Sequence, residues 1–167
     1  VTIREKVMVP PYESAKLITF PDTRFFHCNM KTLNLLPTVM ASIAARDAGA
    51  DEAIFHRNGM VTECAHSNLC IIRKDGAVQT APADKLILPG VTRAHMIRAC
   101  KELGVRCLEE NFTLEEMMNA SEVAIVTSGA QFRPVKEIDG QSVGGGSPDL
   151  VAALQEKLYG DFLKETE

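Results

Sequence analysis

Glu52-Ala53-Ile54-Phe55-His56-Arg57-Asn58-Gly59-Met60-Val61-Thr62-Glu63-Cys64 is the stretch from which the fold is read. Two runs rich in β-branched and apolar residues flank Asn58-Gly59. Asn-Gly is the dipeptide that best fills both left-handed positions of a type I′ turn. The segment therefore predicts a two-residue hairpin with strands at 52–57 and 60–64. The same signals recur further along the chain. Asn68 to Arg73 and Ala77 to Thr80 flank a turn at Lys74-Asp75-Gly76, and Val135 to Ile138 and Gln141 to Val143 flank Asp139-Gly140. Ser121 to Val126 is an almost continuous apolar strand that Thr127-Ser128-Gly129-Ala130 breaks into a loop. Val105 to Leu108 is a short strand, and Val1 to Phe20 is extended, broken by Pro10-Pro11.

Helical periods lie between these hairpins. Leu33, Leu36, Val39, Met40, Ile43 and Ala44 recur at three- and four-residue spacing, predicting a helix over Thr32 to Asp47 with Thr32 as N-cap and Gly49 as stop. Pro89-Gly90-Val91-Thr92-Arg93 opens a second helix that runs to Leu103 and ends at Gly104. Thr113-Leu114-Glu115-Glu116 carries a capping-box pattern. Ser147 to Lys164 closes the chain as an amphipathic helix. Hairpins mixed with helices predict an α+β fold, a curved and mostly antiparallel sheet with flanking helices.

The chain has 167 residues, 46% of them hydrophobic and 24% charged, with a net charge of −4. That length supports one core and predicts a single domain. No basic stripe points to nucleic acid, and no apolar run reaches the ~20 residues that cross a bilayer. The first residues are charged and lack an apolar core, so they do not read as a signal peptide. The absence of an initiator Met leads us to expect a fragment or a processed product. Five cysteines without a CxxC pair suggest a reduced, cytoplasmic chain. The four histidines are scattered, so no metal site is expected.

Three places carry possible chemistry. Lys31 stands in an apolar stretch, and burial there would lower its pKa and free the amine for Schiff-base chemistry. The alternative is a surface lysine whose stem lies along the core. Glu63 sits in the return strand, where period-two alternation puts it on one face with Val61. It either meets a specific partner there or lies on a solvated edge. Gly90-Val91-Thr92 before a helix and Thr127-Ser128-Gly129-Ala130 after a buried strand could both receive an anion, or be ordinary punctuation.

Taken together, Met30-Lys31-Thr32-Leu33-Asn34-Leu35-Leu36, Gly49-Ala50-Asp51-Glu52-Ala53-Ile54, Gly59-Met60-Val61-Thr62-Glu63-Cys64-Ala65-His66-Ser67-Asn68-Leu69 and Leu88-Pro89-Gly90-Val91-Thr92-Arg93 resemble, in that order, the signature segments of the class IV, or fold type IV, pyridoxal-phosphate aminotransferases. The resemblance runs from about Ala15 to the C-terminus. It implies the curved pseudo-barrel of that family's large domain and pyridoxal 5′-phosphate as cofactor. It also implies Lys31 as the Schiff-base lysine and Glu63 as the carboxylate beside the pyridine nitrogen. Leu88 would lie on the ring, Val91 and Thr92 in the phosphate turn, and Ser128 and Gly129 at the phosphate and substrate carboxylate. The implied reaction is transamination between an amino acid and a 2-oxo acid. The Gly49-Ala50-Asp51-Glu52 segment lacks the Tyr of branched-chain enzymes and draws the reading towards the D-amino-acid type. Aminodeoxychorismate lyase, a branched-chain aminotransferase and a non-catalytic binding module are the alternatives. The family's smaller N-terminal domain, with a phosphate-binding arginine, is absent from residues 1–167. A homodimer, or association with that domain, is expected.

Overall fold

The computed structural model describes residues 13–166. The expected extended segment before Glu13 lies outside them. In chain order the elements are β1 (Ala15–Pro21), α1 (Leu36–Asp47), β2 (Glu52–Arg57), β3 (Met60–Cys64), β4 (Asn68–Ile72), β5 (Val78–Thr80), α2 (Val91–Glu102), β6 (Cys107–Glu109), α3 (Leu114–Met118), β7 (Glu122–Thr127), β8 (Gln131–Ile138), β9 (Gln141–Ser142) and α4 (Pro148–Thr166). The strands join in the order β3-β2-β1-β8-β7-β4-β5-β6, with β9 paired to β8. β1 pairs parallel to both β2 and β8, β5 pairs parallel to β6, and the other pairings are antiparallel. The sheet is mixed, with the expected antiparallel majority.

Alternation divides the core into an inside and an outside. Leu69 and Ile71 of β4 and Val123 and Ile125 of β7 point inward, where they meet Leu17, Ile54, Val61 and Ile138 of the other strands. Phe112 and Met117 at α3 plug this interior. The residues between them, Cys70, Ile72, Ala124 and Val126, point outward against Met96 and Ala99 of α2 and Leu154 and Leu158 of α4. A sheet curled round its own side chains and covered outside by helices is thus written in the period of two.

The turns follow their residues. Asn58 and Gly59 both take positive φ, at 49° and 81°, as a type I′ turn requires. Helix α1 ends in a Schellman arrangement: Ala50 N donates to Ala45 O at 2.9 Å and Gly49 N donates to Arg46 O at 3.0 Å. Thr113 makes both halves of the expected capping box with Glu116.

Two expectations about α1 are corrected. The helix begins at Leu36, not Thr32, because Pro37 sets the dihedral of the first turn. Thr32 instead accepts from Asn34 N and Nδ2, each at 3.3 Å. The predicted apolar face is also reversed. Leu36, Val39, Met40 and Ile43 are exposed, whereas the small Ala41 and Ala45 pack on Ala53 and Phe55. Small side chains let the helix lie close to the sheet. The remaining shifts are minor: β6 begins two residues later than expected, and β8 begins at Gln131, so that 128–130 is a tight turn.

Ala41→Leu should therefore cost about 1–3 kcal/mol of stability by overpacking against Phe55. Met40→Gln on the outward face should stay within about 0.5 kcal/mol. Urea unfolding of both variants checks this, and the opposite ranking would overturn the orientation of α1.

Candidate active site

At one end of the barrel the chain encloses a cavity of about 540 Å³. That falls within the roughly 300–1,000 Å³ of sites for small organic ligands. Lys31, Glu63, Leu88, Val91, Thr92 and Ser128 all line it. Gly129 does not; it lies in the turn beside Ser128.

Glu63 reaches the cavity through an irregularity that its sequence does not announce. Ile54 pairs with Cys64 and His56 with Val61, so β3 carries one more residue than β2 over the same interval. A bulge of this kind re-aims a side chain. Val61 and Cys64 consequently share the inner core, while Glu63 turns away from them. The expected common face of Val61 and Glu63 does not form.

The Glu63 carboxylate is buried and accepts three hydrogen bonds. Arg24 Nη1 donates to Oε1 at 2.6 Å, and Asn68 Nδ2 and Leu88 N donate to Oε2 at 3.0 Å each. Arg24 is itself held by Asp22, through Nε at 3.0 Å and Nη2 at 3.0 Å, and lies 4.4 Å from the centre of the Phe55 ring. Arg57 Nε and Thr62 Oγ1 also donate to Asp22 Oδ2, both at 3.1 Å. Two guanidinium groups thus neutralise two buried carboxylates, but unevenly. For Asp22, burial acts to raise the pKa, yet the Arg24 and Arg57 contacts outweigh it and hold the carboxyl below its ordinary value. For Glu63, burial prevails over the single Arg24 contact and pushes the carboxyl above its ordinary value. Burial works against the Arg24 charge too, but hydrogen bonds and charge from Asp22 and Glu63 keep that guanidinium firmly protonated.

The far side of the cavity suits an anion. Gly90, the N-cap of α2, has no side chain to satisfy the first N–H groups of the helix. Thr92 Oγ1 stands 3.5 Å from Ser128 Oγ, across from the end of β7. A Cβ at position 90 would sit 2.2 Å from Asn68 Oδ1, so any larger residue there would have to displace the Asn68 amide. Asn68 ties the two sides together, since its amide donates to Glu63 and, at 2.9 Å, to Leu88 O.

Of the two readings of Lys31, the exposed one holds. It lies in the loop before α1 and lines the cavity, not buried among apolar residues. Its apolar neighbours are exposed as well, with Leu33 at 93% and Phe26 at 54%. Asp22, Arg24, Asn68 and His66 were not singled out from the sequence. Asp22-Thr23-Arg24 offered only an unremarked charge pair ahead of the lysine segment. Among the described residues no cluster of His, Cys, Asp and Glu could hold a metal ion, and no helix is long and apolar enough to cross a membrane.

The donor set matches pyridoxal phosphate. Glu63 Oε1 keeps an acceptor position beyond its one bond to Arg24, and a carboxylate left under-neutralised gains from a further positive N–H partner. Uncapped helix N–H groups and two hydroxyls face it across the cavity, and a primary amine stands at the mouth.

Comparison with known proteins agrees with this geometry. The model of the amino-transferase class IV family matches residues 3–138. The chain is 41% identical over 150 residues to a D-alanine aminotransferase of Bacillus licheniformis, covering 89% of this chain and 53% of that protein. It is 42% identical over 146 residues to the D-alanine aminotransferase of Staphylococcus haemolyticus, covering 87% and 51%. Its fold is similar to that of a branched-chain aminotransferase from Thermoproteus uzoniensis, with a TM-score of 0.77 at 29% identity, over 92% of this chain and 55% of that one. It is also similar to a putative 4-amino-4-deoxychorismate lyase from Legionella pneumophila, with a TM-score of 0.82 at 25% identity, over 92% and 58%. The chain spans about half the length of the curated relatives it matches.

Replacing Arg24 by Met should cost about 3–5 kcal/mol, because it leaves the buried Glu63 without a cationic partner and Asp22 with Arg57 alone. The acid limb of stability should also move. Asp22 has a depressed folded pKa, so its contribution is present above its unfolded pKa and is lost as pH falls through the folded value. Without Arg24 that loss should begin at a higher pH. Urea unfolding across the acid range checks both effects, and an unchanged midpoint at every pH would overturn the role given to Arg24.

Proposed function

Because the chain belongs to the class IV aminotransferase family, we propose that residues 1–167 form the cofactor-binding domain of a pyridoxal-phosphate-dependent transaminase acting on D-amino acids and 2-oxo acids. The observation that carries this reading is the meeting of Lys31, Glu63 and the Thr92–Ser128 pair in one cavity. The names of the relatives at 39–42% identity, D-alanine aminotransferases, support the D-amino-acid type.

When bound, pyridoxal phosphate supplies an electron sink for the pair released as the substrate Cα–H bond breaks. Lys31 would hold the cofactor covalently and, once displaced by the substrate amine, carry the proton to and from Cα. Glu63 would keep the ring nitrogen protonated by holding a negative charge against it. Its own orientation comes from Arg24, Asn68 and Leu88 N, which leave the carboxylate little freedom. Leu88 would cover one face of the ring. The N–H groups of Val91 and Thr92, with the Thr92 and Ser128 hydroxyls, would bind the phosphate, and Gly129 would leave room beside Ser128 for the substrate carboxylate. A ring held at both ends is oriented before reaction begins.

The apolar rim at Phe26, Leu33, Leu36 and Met40 is, in this reading, covered by a second copy in a homodimer or by the N-terminal domain of this family. Cytoplasmic localisation completes the proposal. Aminodeoxychorismate lyase activity is the alternative outcome on the same cofactor apparatus. Turnover of D-alanine with 2-oxoglutarate, set against aminodeoxychorismate, decides between them.

Borohydride reduction of the pyridoxal-phosphate-loaded protein followed by peptide mapping should place the pyridoxyl label on Lys31, and Lys31→Ala should abolish it with the fold intact. A label on Lys85 instead would refute the assignment. Glu63→Gln should lower turnover by on the order of a hundredfold, the scale of losing one preorganised electrostatic contact. Unaltered turnover and cofactor absorption in Glu63→Gln would remove Glu63 from the mechanism.

A further inference from the structure

His66 stands in the turn between β3 and β4, exposed at the cavity that Lys31 lines. Three contacts hold it. Its backbone N–H donates to the buried Glu52 carboxylate of β2, which the neighbouring Ser67 Oγ also reaches, at 2.6 Å. Its Nε2 lies 3.0 Å from Ser42 Oγ on α1. Ser42 Oγ in turn donates to Thr38 O at 2.8 Å.

Those contacts assign the tautomer, with Ser42 as donor to Thr38 O. A serine hydroxyl has one proton to give, and Ser42 spends it on Thr38 O. Towards His66 the same oxygen can only accept, so Nε2 must carry the imidazole proton. The neutral ring then has its lone pair on Nδ1, and Nδ1 has no protein partner among the described residues.

No other side chain lining the cavity offers such a free base. Arg24 and Arg93 are cations already paired with carboxylates. Glu63 accepts three hydrogen bonds, and the buried thiols Cys28 and Cys64 are pushed up by burial, away from thiolate. Lys31 is committed to the cofactor. An amino acid, however, arrives mostly as an ammonium ion, with no lone pair for attack.

We infer that His66 is the proton acceptor for the substrate's ammonium group, with Ser42 as the residue that positions it. The inference rests on the transaminase reading above. In the step, one N–H bond of the ammonium breaks and an Nδ1–H bond forms. The neutral amine keeps the electron pair, and the imidazolium later passes its proton to water at the open mouth. Lys31, Arg24, Glu63 and Arg93, which line the cavity, and Glu52 beneath the turn are the charged groups arranged about this site.

Two measurements test it on the full-length protein. Long-range proton–nitrogen correlation spectra of 15N-histidine-labelled protein, recorded without cofactor, should show His66 as the Nε2–H tautomer. Ser42→Ala should weaken that preference and Ser42→Thr should keep it. His66→Gln retains a donor for Ser42 but has no basic nitrogen. In the loaded enzyme it should slow the half-reaction with D-alanine by about tenfold or more, with free imidazole restoring part of the rate. The half-reaction with 2-oxoglutarate, whose product amine takes a proton before it leaves, should slow as well and respond to imidazole in the same way. The deficit should shrink as pH rises and more of the substrate arrives as the neutral amine. A merely structural role would resist imidazole and keep the same deficit at every pH. An Nδ1–H tautomer, a deficit that neither imidazole nor pH relieves, or no deficit at all would overturn the inference. A wild-type protein that neither takes a pyridoxyl label on Lys31 nor transaminates would sink the transaminase reading itself, and this inference with it.

Discussion

Everything about the cavity depends on a guanidinium placed between two buried carboxylates. Arg24 follows β1 by three residues, yet it meets Asp22 on one side and Glu63 of β3 on the other. A carboxylate withdrawn from water is costly unless it is paired, and the penalty rises as its surroundings dry. Arg24 lowers that cost for Glu63, although burial still holds its carboxyl above the ordinary value. Because it shares its charge with Asp22, it leaves Glu63 short of full neutralisation. The same residue that makes the buried charge tolerable therefore also leaves it receptive.

The two sides of the cavity are joined by one amide. Asn68 donates to Glu63 and to the carbonyl of Leu88, and its oxygen crowds Gly90 at the start of α2. The spacing between a carboxylate for a ring nitrogen and a helix terminus for a phosphate is thus set by packing within a strand and a loop. Such preorganisation lowers the entropic cost of orienting a ligand.

Much of this was legible in the residues, and the failures share a cause. The turns at Asn58-Gly59 and Asp139-Gly140 and the cap at Thr113 are local, so their chemistry can be read where it is written. The facing of Glu63 is not local. It depends on a bulge that sets two residues of β3, Thr62 and Glu63, against one of β2, Phe55, and alternation alone predicts the opposite result. The face of α1 failed for a related reason. Periodicity reports that a helix has two unlike sides but not which side meets the sheet. Here Phe55 leaves space only for alanines, so the bulky side is turned outward. Apolar neighbours left the burial of Lys31 open in the sequence, and the exposed reading holds, because those neighbours are exposed with it. Arg24 and Asn68 carried no signal, since an arginine or asparagine acquires meaning only from a partner distant in the chain.

The place of β1 has a consequence for how the molecule comes into being. It lies inside the sheet, with β2 on one flank and β8, more than a hundred residues later, on the other. Until Val135 has been synthesised, Ala15 has no neighbour on that side, and the two halves of the sheet have no common strand. Glu63 belongs to one half, and Thr92 and Ser128 are attached to the other. Pairings so far apart in the chain are slow to close and leave strand edges open meanwhile. A nascent chain on the ribosome can therefore bring Glu63, Asn68 and the start of α2 together before β1 gains its second neighbour. The strand that closes the sheet, itself remote from any chemistry, and the Ser128 just ahead of it complete the pocket last.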